Sequence, residues 1–377
     1  MSPVHYQNTP FPPDNIVWSQ LIPLLGPASA AVARYESTLN AIPNANVLLS
    51  PLFTQEAVLS SKIEGTQATM GEVLQFEASE DLAIGDEKKN DINEILNYRR
   101  AMNFAIQQME TIPLSQRLMK DTHGVLMQGV RGRNKSPGEY RKVPNWIGPH
   151  GCTVEQARFV PPGANEIADC MARWERLIHA DFDDTLVQLA LLHAEFEAIH
   201  PYLDGNGRLG RLLVPLFLVH KKILSSPNFY ISAYLEANQE EYYDRLSLVS
   251  SQNDWTGWCK FFLQAITKQA VDNEMRARAV LKLYDSKKTW IAEATRSQYA
   301  VQALDWFFKR PIFRTPDFIH STKIPDATAT RIVRLVRDAG LLSEIQSSSG
   351  PRPAILAFTE LLNIADGRLS QGLGSTP

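Results

Sequence analysis

His200-Pro201-Tyr202-Leu203-Asp204-Gly205-Asn206-Gly207-Arg208-Leu209-Gly210-Arg211 joins two apolar segments of helical pattern. Asp184 to Ile199 comes before it, with Leu186, Leu189, Phe196 and Ile199 available for a core face, and Pro201 stops that helix. A second helix starts near Asn206 and runs to Lys222. Gly205 and Gly207 flank Asn206 where this helix begins, permitting positive φ and close approach of backbone N–H groups to a ligand. Unpaired N–H donors and the positive end of the helix dipole then form an anion site. Arg208 and Arg211, three apart, project from one face of the first turn and suit a polyphosphate better than a single carboxylate. Asp204 supplies one carboxylate, which is enough for Mg²⁺ when phosphates and water complete the octahedron. His200 carries the side chain best matched to proton abstraction near neutral pH, here from a hydroxyl attacking phosphorus. Taken singly, a His after a helix is usually a cap, a Gly-X-Gly a turn, and an Arg pair a solvated face. Their conjunction within one short loop points to phosphoryl chemistry.

The rest of the chain sets limits on that chemistry. The 377 residues suggest two or three domains. With 44% apolar and 21% charged residues, the composition is that of a globular protein. A net charge of −3 gives no global field toward nucleic acid or anionic membrane. Cys152, Cys170 and Cys259 are sparse and widely separated, which argues against a disulfide framework and for a reducing compartment. Met1 to Asp14 is polar and proline-rich, without a secretory h-region, and Leu212 to Val219 is far too short to span a bilayer. A cytoplasmic protein without a membrane partner is expected.

Helical patterns cover Asn15–Ile42, Pro51–Ile63, Glu87–Met109, Ser115–Leu126, Asn165–Ala180, Gln239–Ser250 and Trp255–Tyr284; Asp285–Thr289 is either a break at a domain boundary or an extension of the long helix before it. Gly138–Pro162 lacks helical period and reads as a β-hairpin, one arm near Val143–Ile147 and the other near Ala157–Val160. In the tail, Gln298–Phe308 is helical, Thr315 and Pro316 form an N-cap and N1 pair, and Asp326 caps Ala327–Ala339 with Gly340 at C′. Leu341–Ile345, a Ser-Gly-Pro turn and Ala354–Phe358 complete a winged helix-turn-helix pattern.

The loop resembles the active-site motif of the Fic family, His-Pro-Phe-x-(Asp/Glu)-Gly-Asn-Gly-Arg-x-x-Arg, departing from it only at Tyr202, where Phe is usual. The likeness extends over roughly Leu52 to Ile266. It implies a protein adenylyltransferase that moves AMP from ATP to a Ser, Thr or Tyr hydroxyl of a target protein, self-modification included. By that likeness His200 is the base and Asp204 the Mg²⁺ ligand. Gly205, Asn206 and Gly207 would cradle the α- and β-phosphates. Arg208 and Arg211 would hold the polyphosphate tail, with Leu209 and Gly210 in the same ATP-binding turn. Tyr243 would be the aromatic contact to the nucleotide. The hairpin ending in Phe159-Val160-Pro161-Pro162 resembles the family's flap, which aligns a target backbone by β-augmentation. The hydroxyl of Tyr202 needs a partner that Phe would not.

Ser60-Ser61-Lys62-Ile63-Glu64-Gly65 ends the helix from Pro51, with Gly65 at C′. Glu64 lies in the last turn, where the dipole disfavours a carboxylate, so it is either an exposed, tolerated Glu or one compensated by an arginine elsewhere. The segment also resembles the family's inhibitory motif, (Ser/Thr)-x-x-x-Glu-(Gly/Asn), which implies that Glu64 pairs with Arg211 and leaves ATP unproductively posed. In at least one relative the equivalent Glu supports removal of AMP. Transfer of another nucleotide on the same scaffold, AMP removal, or a DNA-binding regulator that uses the domain as a nucleotide sensor are the competing functions. Arg331, Arg334 and Arg337 form a stripe on the candidate recognition helix, diluted by Asp326 and Asp338, so docking or self-association is preferred to DNA binding. The expected architecture is mainly α: an N-terminal helical segment with the inhibitory motif (1–95), a Fic helical bundle with a β-hairpin flap (96–285) and a C-terminal winged helix-turn-helix (286–377). Homodimerisation is expected from the resemblance alone.

Overall fold

The structure is a computed structural model and describes residues 2–79, 84–129, 135–149, 151–348 and 352–368. In chain order the elements are β1 (Val4–His5), α1 (Trp18–Ala41), α2 (Ala45–Leu48), α3 (Ser50–Ile63), α4 (Met70–Ala78), α5 (Asp86–Met109), α6 (Gln116–Leu126), β2 (Phe159–Val160), α7 (Ile167–His179), α8 (Thr185–Ile199) and α9 (Asn206–His220). There follow α10 (Ser232–Ala237), α11 (Gln239–Gln252), α12 (Trp255–Thr295), α13 (Ala300–Lys309), β3 (Ile312–Arg314), α14 (Thr315–Ser321), α15 (Asp326–Asp338), β4 (Ser343–Gln346), β5 (Ile355–Ala357) and α16 (Thr359–Ala365). The fold is mainly helical, as expected. Residues 1–36, 59–66 and 96–271 form one compact unit, and 37–58, 67–95 and 272–377 the other.

The first unit is built on α8. Its apolar residues run all the way round the helix, the pattern of an element enclosed by others. Asp184 starts it by accepting from the N–H groups of Leu186 and Val187 at 2.9 and 3.0 Å. The helix packs against α7 and α9, and it borrows two indole donors. Trp174 donates to the carbonyl of Leu192 at 2.8 Å and Trp258 to that of Ala190 at 2.7 Å. Such fully satisfied buried rings hold the middle of α8, the helix from whose end the loop departs.

One expectation here is corrected and one open reading is decided. The β-hairpin of Gly138–Pro162 reduces, among the described residues, to one antiparallel bridge between Ile147 and Phe159. Its second arm pairs in parallel with β1, Val4 opposite Phe159 and His5 opposite Val160. Gly and Pro at both shoulders of the arms leave too few donors for a longer ladder. At Asp285–Thr289 the break gives way to the other reading, extension of the long helix, and α12 continues to Thr295. The polar residues there change the exposed face without interrupting the backbone. Helices α2, α4, α10 and α16 were not anticipated, being four to nine residues long and too short for a periodic signal.

In the second unit, β3, β5 and β4 form an antiparallel sheet in that order, with Ile312 opposite Ala357 and Glu344 opposite Leu356. The sheet and α13–α15 enclose an aromatic cluster, where Phe307 stacks on Phe313 at 5.4 Å and meets Phe318 at 5.1 Å. Thr315 is already helical, and Arg314 takes the N-cap position with its side chain paired to Asp317 at 3.0 Å. The cap thus stands one residue earlier than expected. Gly340 closes α15 at φ 80°, with Leu341 N–H donating to the carbonyl of Val336. The Ser-Gly-Pro turn at 349–351 lies outside the described residues.

Candidate active site

His200 caps α8 with left-handed backbone, φ 48° and ψ 59°. A non-glycine residue holds that conformation only where its surroundings determine it. Arg141 supplies much of that determination. Its Nε donates to the carbonyl of His200 at 3.0 Å, its Nη2 to that of Pro162 at 2.5 Å, and its backbone N–H to that of Pro201 at 2.9 Å. The imidazole Nδ1 donates over 3.4 Å to the carbonyl of Glu197, leaving Nε2 with its lone pair. Burial, opposed by Glu64 and Asp204, pushes the His200 pKa down to about 4. The ring is therefore neutral at physiological pH and able to accept a proton.

The loop beyond His200 is braced from within and from below. Asn206 Oδ1 accepts from the N–H of Tyr202 and its Nδ2 donates to the carbonyl of the same residue, both at 2.9 Å. The Asn206 side chain is thus committed to the loop, and its backbone N–H is what remains for a ligand. Gly205 sits at φ 77°, and a Cβ there would also press on Met127. His123 donates from Nε2 to the carbonyl of Asp204 at 2.9 Å, while its Nδ1 accepts from Gly138 N–H at 2.9 Å. That pairing requires a neutral ring, consistent with burial lowering its pKa to about 4. The same ring stacks on Tyr202 with centroids 3.8 Å apart. Tyr202 is fully buried, and its hydroxyl has no hydrogen-bond partner among the described residues.

The two loop arginines have different attachments. Arg208 reaches back one turn to Asp204 Oδ1 at 3.3 Å. Arg211 turns the other way, to the end of α3. Its Nε donates to Ser60 Oγ at 2.9 Å, and its Nη2 to the carbonyl of Ser60 at 2.8 Å and to Glu64 Oε1 at 2.7 Å. Burial disfavours the Glu64 carboxylate, but Arg211 outweighs it and holds the pKa below the usual value. Glu64 is delivered by a Schellman ending in which Gly65, at φ 102°, donates to Lys62 and Thr66 donates to Ser61. Gln239 Nε2 adds a hydrogen bond to the carbonyl of Ile63 at 3.1 Å. A Cβ at Gly207 would meet the Glu64 carboxylate and the Arg211 guanidinium, so a side chain there would displace that pair.

Asp204 keeps a 41% exposed carboxylate whose Oδ1 already accepts from the Gly205 N–H at 2.6 Å. Among the described residues no cluster of three or more His, Cys, Asp and Glu could hold a metal. A single carboxylate beside an anion site suits Mg²⁺ carried in on phosphates. Tyr243 is exposed on α11, close enough to Glu64 and Arg211 for both charges to act on it. The Leu209 side chain lies wholly in the core, so it offers a nucleotide only its backbone.

Several supporting residues escaped the sequence reading. Neither His123 nor Arg141 has a local pattern that signals its role. Behind α9, Tyr242 donates to His193 Nε2 at 2.9 Å and His193 Nδ1 donates to the carbonyl of Gly210 at 3.1 Å. Glu197, three residues before His200, lies directly under Gly210, and burial raises its pKa to about 7. Its spacing from His200 on one helix face was the available clue.

A mainly helical fold in which a buried neutral histidine precedes the start of α9 and two arginines are anchored beside it frames the comparison with known proteins. The chain matches the Fic/DOC family N-terminal model over residues 22–107 and the Fic/DOC family model over residues 113–218, together just over half of its length. It belongs to the Fic/DOC family. The matched span begins upstream of Leu52 and ends before Ile266. Protein adenylyltransferase Fic of Drosophila erecta is 28% identical over 189 residues, covering 48% of this chain and 36% of that protein. The protein of the same name from Drosophila willistoni is 28% identical over 202 residues, covering 50% and 37%. The chain thus spans little more than a third of the length of the curated relatives it matches. Among solved structures, a Fic family protein from Desulfovibrio desulfuricans has a TM-score of 0.57 at 19% identity, covering 95% of this chain and 98% of that one. Fic-1 from C. elegans has a TM-score of 0.51 at 16% identity, covering 71% and 74%. Among the described residues no helix is long and apolar enough to cross a membrane.

Proposed function

We propose that this chain is an autoinhibited protein adenylyltransferase, moving AMP from ATP to a Ser, Thr or Tyr hydroxyl of a protein. The observation that carries it is a neutral His200 held at the mouth of the α9 anion site while Arg211 is tied up by Ser60 and Glu64. His200 Nε2 takes the proton of the attacking hydroxyl as its oxygen bonds to the α-phosphorus, and diphosphate leaves. Backbone N–H groups at the start of α9 and Arg208 face the phosphates, in place of water, as charge builds there. Asp204 would hold Mg²⁺, which when bound neutralises phosphate charge. Tyr243 would stack beside the nucleotide base. Withdrawal of Glu64 frees Arg211 for the terminal phosphate.

The test is incubation of wild type, Glu64→Gly and Glu64→Gly/His200→Ala with α-labelled ATP and Mg²⁺, alone and in lysate, with the adduct identified by mass spectrometry. Glu64→Gly is expected to label faster than wild type, and the double variant to lose the label. Failure of Glu64→Gly to label faster overturns the autoinhibition. Absence of label in every sample redirects the function to another donor, to AMP removal or to nucleotide sensing.

For α13–α15 with β3–β5 we infer a winged helix-turn-helix used for protein docking or self-association. Arg331 and Arg334 are exposed on α15, but Arg337 spends its charge on Asp338 at 3.1 Å, which shortens the stripe a DNA backbone would meet. A salt-sensitive shift of duplex DNA by the full chain would favour the DNA reading instead.

A further inference from the structure

Within the first unit, Gly210 stands inside α9, where glycine is the least favourable residue for a helix after proline. Neither the family motif nor a positive φ calls for it. Its reason lies across the interface with α8. A Cβ at Gly210 would strike Oε1 of Glu197, so the missing side chain opens a slot in which that carboxyl is seated. The Glu197 side chain is 11% exposed, and its Oε1 finds no hydrogen-bond partner among the described residues. His193 Nε2 lies 3.9 Å away. It already accepts from Tyr242, and burial keeps the ring neutral, so it has no proton to offer. An enclosed carboxyl oxygen without a donor either keeps its own proton or needs a cation.

Arg211 is that cation, and it stands between two carboxyls. Glu64 holds its Nη2 at 2.7 Å from the end of α3, while Glu197 faces it from α8 and feels its charge. The bonds to Ser60 and Glu64 use Nε and Nη2, and Nη1 runs along Gly207 at the start of α9. Burial disfavours the Glu197 carboxylate, Arg211 opposes that effect, and Glu64 adds to it. Tyr242 and Tyr243 of α11 face Glu197 as neutral phenols, their pKa values raised chiefly by burial. The charge balance at the slot is therefore set by Arg211 and Glu64, and the two carboxyls titrate as a coupled pair.

We propose that Glu197 is a positioning residue for Arg211: a second carboxyl, seated in the Gly210 slot, that competes with Glu64 and takes over part of the guanidinium's charge once Glu64 withdraws. The use of Arg211 on a phosphate rests on the AMP-transfer reading above; the exchange between the two carboxyls does not. The inhibitory contact is thereby linked to a proton. With Glu64 in place, Glu197 has a pKa of about 7. When Glu64 leaves, its repulsion goes, the Glu197 pKa falls, and the proton passes to solvent. Loss of that proton therefore favours release, so the contact is tightest at acid pH and slackens as the pH rises through 7.

Two measurements on the full chain test this. Infrared spectroscopy follows the C=O band of protonated carboxyls against pH in wild type, Glu197→Gln and Glu64→Gly, without ATP. The component missing in Glu197→Gln is expected to titrate near 7 in wild type and at least about one pH unit lower in Glu64→Gly. Glu195, which burial also raises to about 7, is an internal control that neither substitution moves. An unmoved midpoint, or no component lost in Glu197→Gln, overturns the exchange. The second measurement is the ratio of labelling from ATP by Glu64→Gly to that by wild type between about pH 6 and 8, where His200 stays neutral. The ratio is expected to fall about tenfold as the pH rises, and to be flat when both chains carry Glu197→Gln. In Glu64→Gly, adding Glu197→Gln should raise the KM for ATP by about tenfold with a smaller change in kcat. A ratio that is flat without Glu197→Gln or equally steep with it, or a loss confined to kcat, overturns the proposal. Should Glu197→Gln not fold, Gly210→Ala, whose Cβ fills the slot, replaces it with the same expected outcomes. If the Glu64→Gly parent itself fails to label, it is the AMP-transfer reading that falls, and the infrared midpoints alone decide the exchange.

Discussion

The active loop and the flap beside it are both irregular backbone, yet they are held in opposite ways. The loop is fixed by side chains that grip its main chain: Asn206 on both polar groups of Tyr202, His123 on Asp204, and Arg141 on His200. The segment around Phe159 is held by short main-chain pairings, one bridge to Ile147 and a two-residue parallel strand, with Tyr6, Asn145, Trp146 and Arg141 as side-chain anchors. A grip by buried side chains keeps atoms within the tolerance that chemistry requires. Short ladders open at little cost. Rigidity is concentrated in the loop from His200 to Arg211, and compliance in the segment around Phe159.

The contrast can be broken most forcefully at Asn206. Asn206→Ala leaves the N–H of Tyr202 buried without a partner and its carbonyl with Asn145 alone, an expected cost of about 1–2 kcal/mol in denaturant unfolding. Transfer should fall on the order of a hundredfold as the loop loses its geometry. A loss at Asn206 no larger than that of an Asn145→Ala control on the flap would refute the division of labour.

Glu64→Gly should separate activity from stability. It frees Arg211 for phosphate but leaves a buried guanidinium uncompensated. Because the Glu64 side chain is 36% exposed, the expected loss is about 1–2 kcal/mol rather than that of a fully buried pair. ATP should recover most of it by binding the native state, visible as a larger thermal shift than in wild type.

The pH dependence sharpens the account of the loop. His200 has a folded pKa of about 4, below its ordinary 6.5, so the native state favours the neutral ring and binds this proton less readily than the unfolded chain. Its contribution to stability is complete above pH 6.5 and is lost as the pH falls toward 4. The transfer rate of Glu64→Gly should therefore show an acid limb well below pH 6.5, absent in Glu64→Gly/His200→Gln. Removing Glu64, which supports the charged ring, should move that limb lower still. A limb at the ordinary histidine value would mean that His200 is solvated in the working enzyme.

The smallest change is expected at Tyr202→Phe. It deletes a buried hydroxyl without a described partner while keeping the ring stacked on His123. Stability should hold or rise by up to about 1 kcal/mol, with activity unchanged. A loss of stability would reveal a partner for that hydroxyl.

What the sequence determined by itself was what lies close along the chain. The candidate loop chemistry was legible because a histidine, a carboxylate, two glycines and two arginines fall within one turn and one helix start. The long helices were legible because their periodicity and caps are local signals, as with Asp184 ahead of α8 and Gly340 behind α15. The resemblance of Ser60–Gly65 to an inhibitory motif pointed to Arg211, but only the fold brings Glu64, 147 residues away, against it. Tertiary structure alone placed His123 and Arg141 under the loop, turned an expected hairpin into a bridge plus a parallel N-terminal strand, and carried α12 through Asp285–Thr289 without a break. These depend on pairings between distant segments. Their register is set by which buried polar groups find partners once the core has closed, and no local periodicity records that choice.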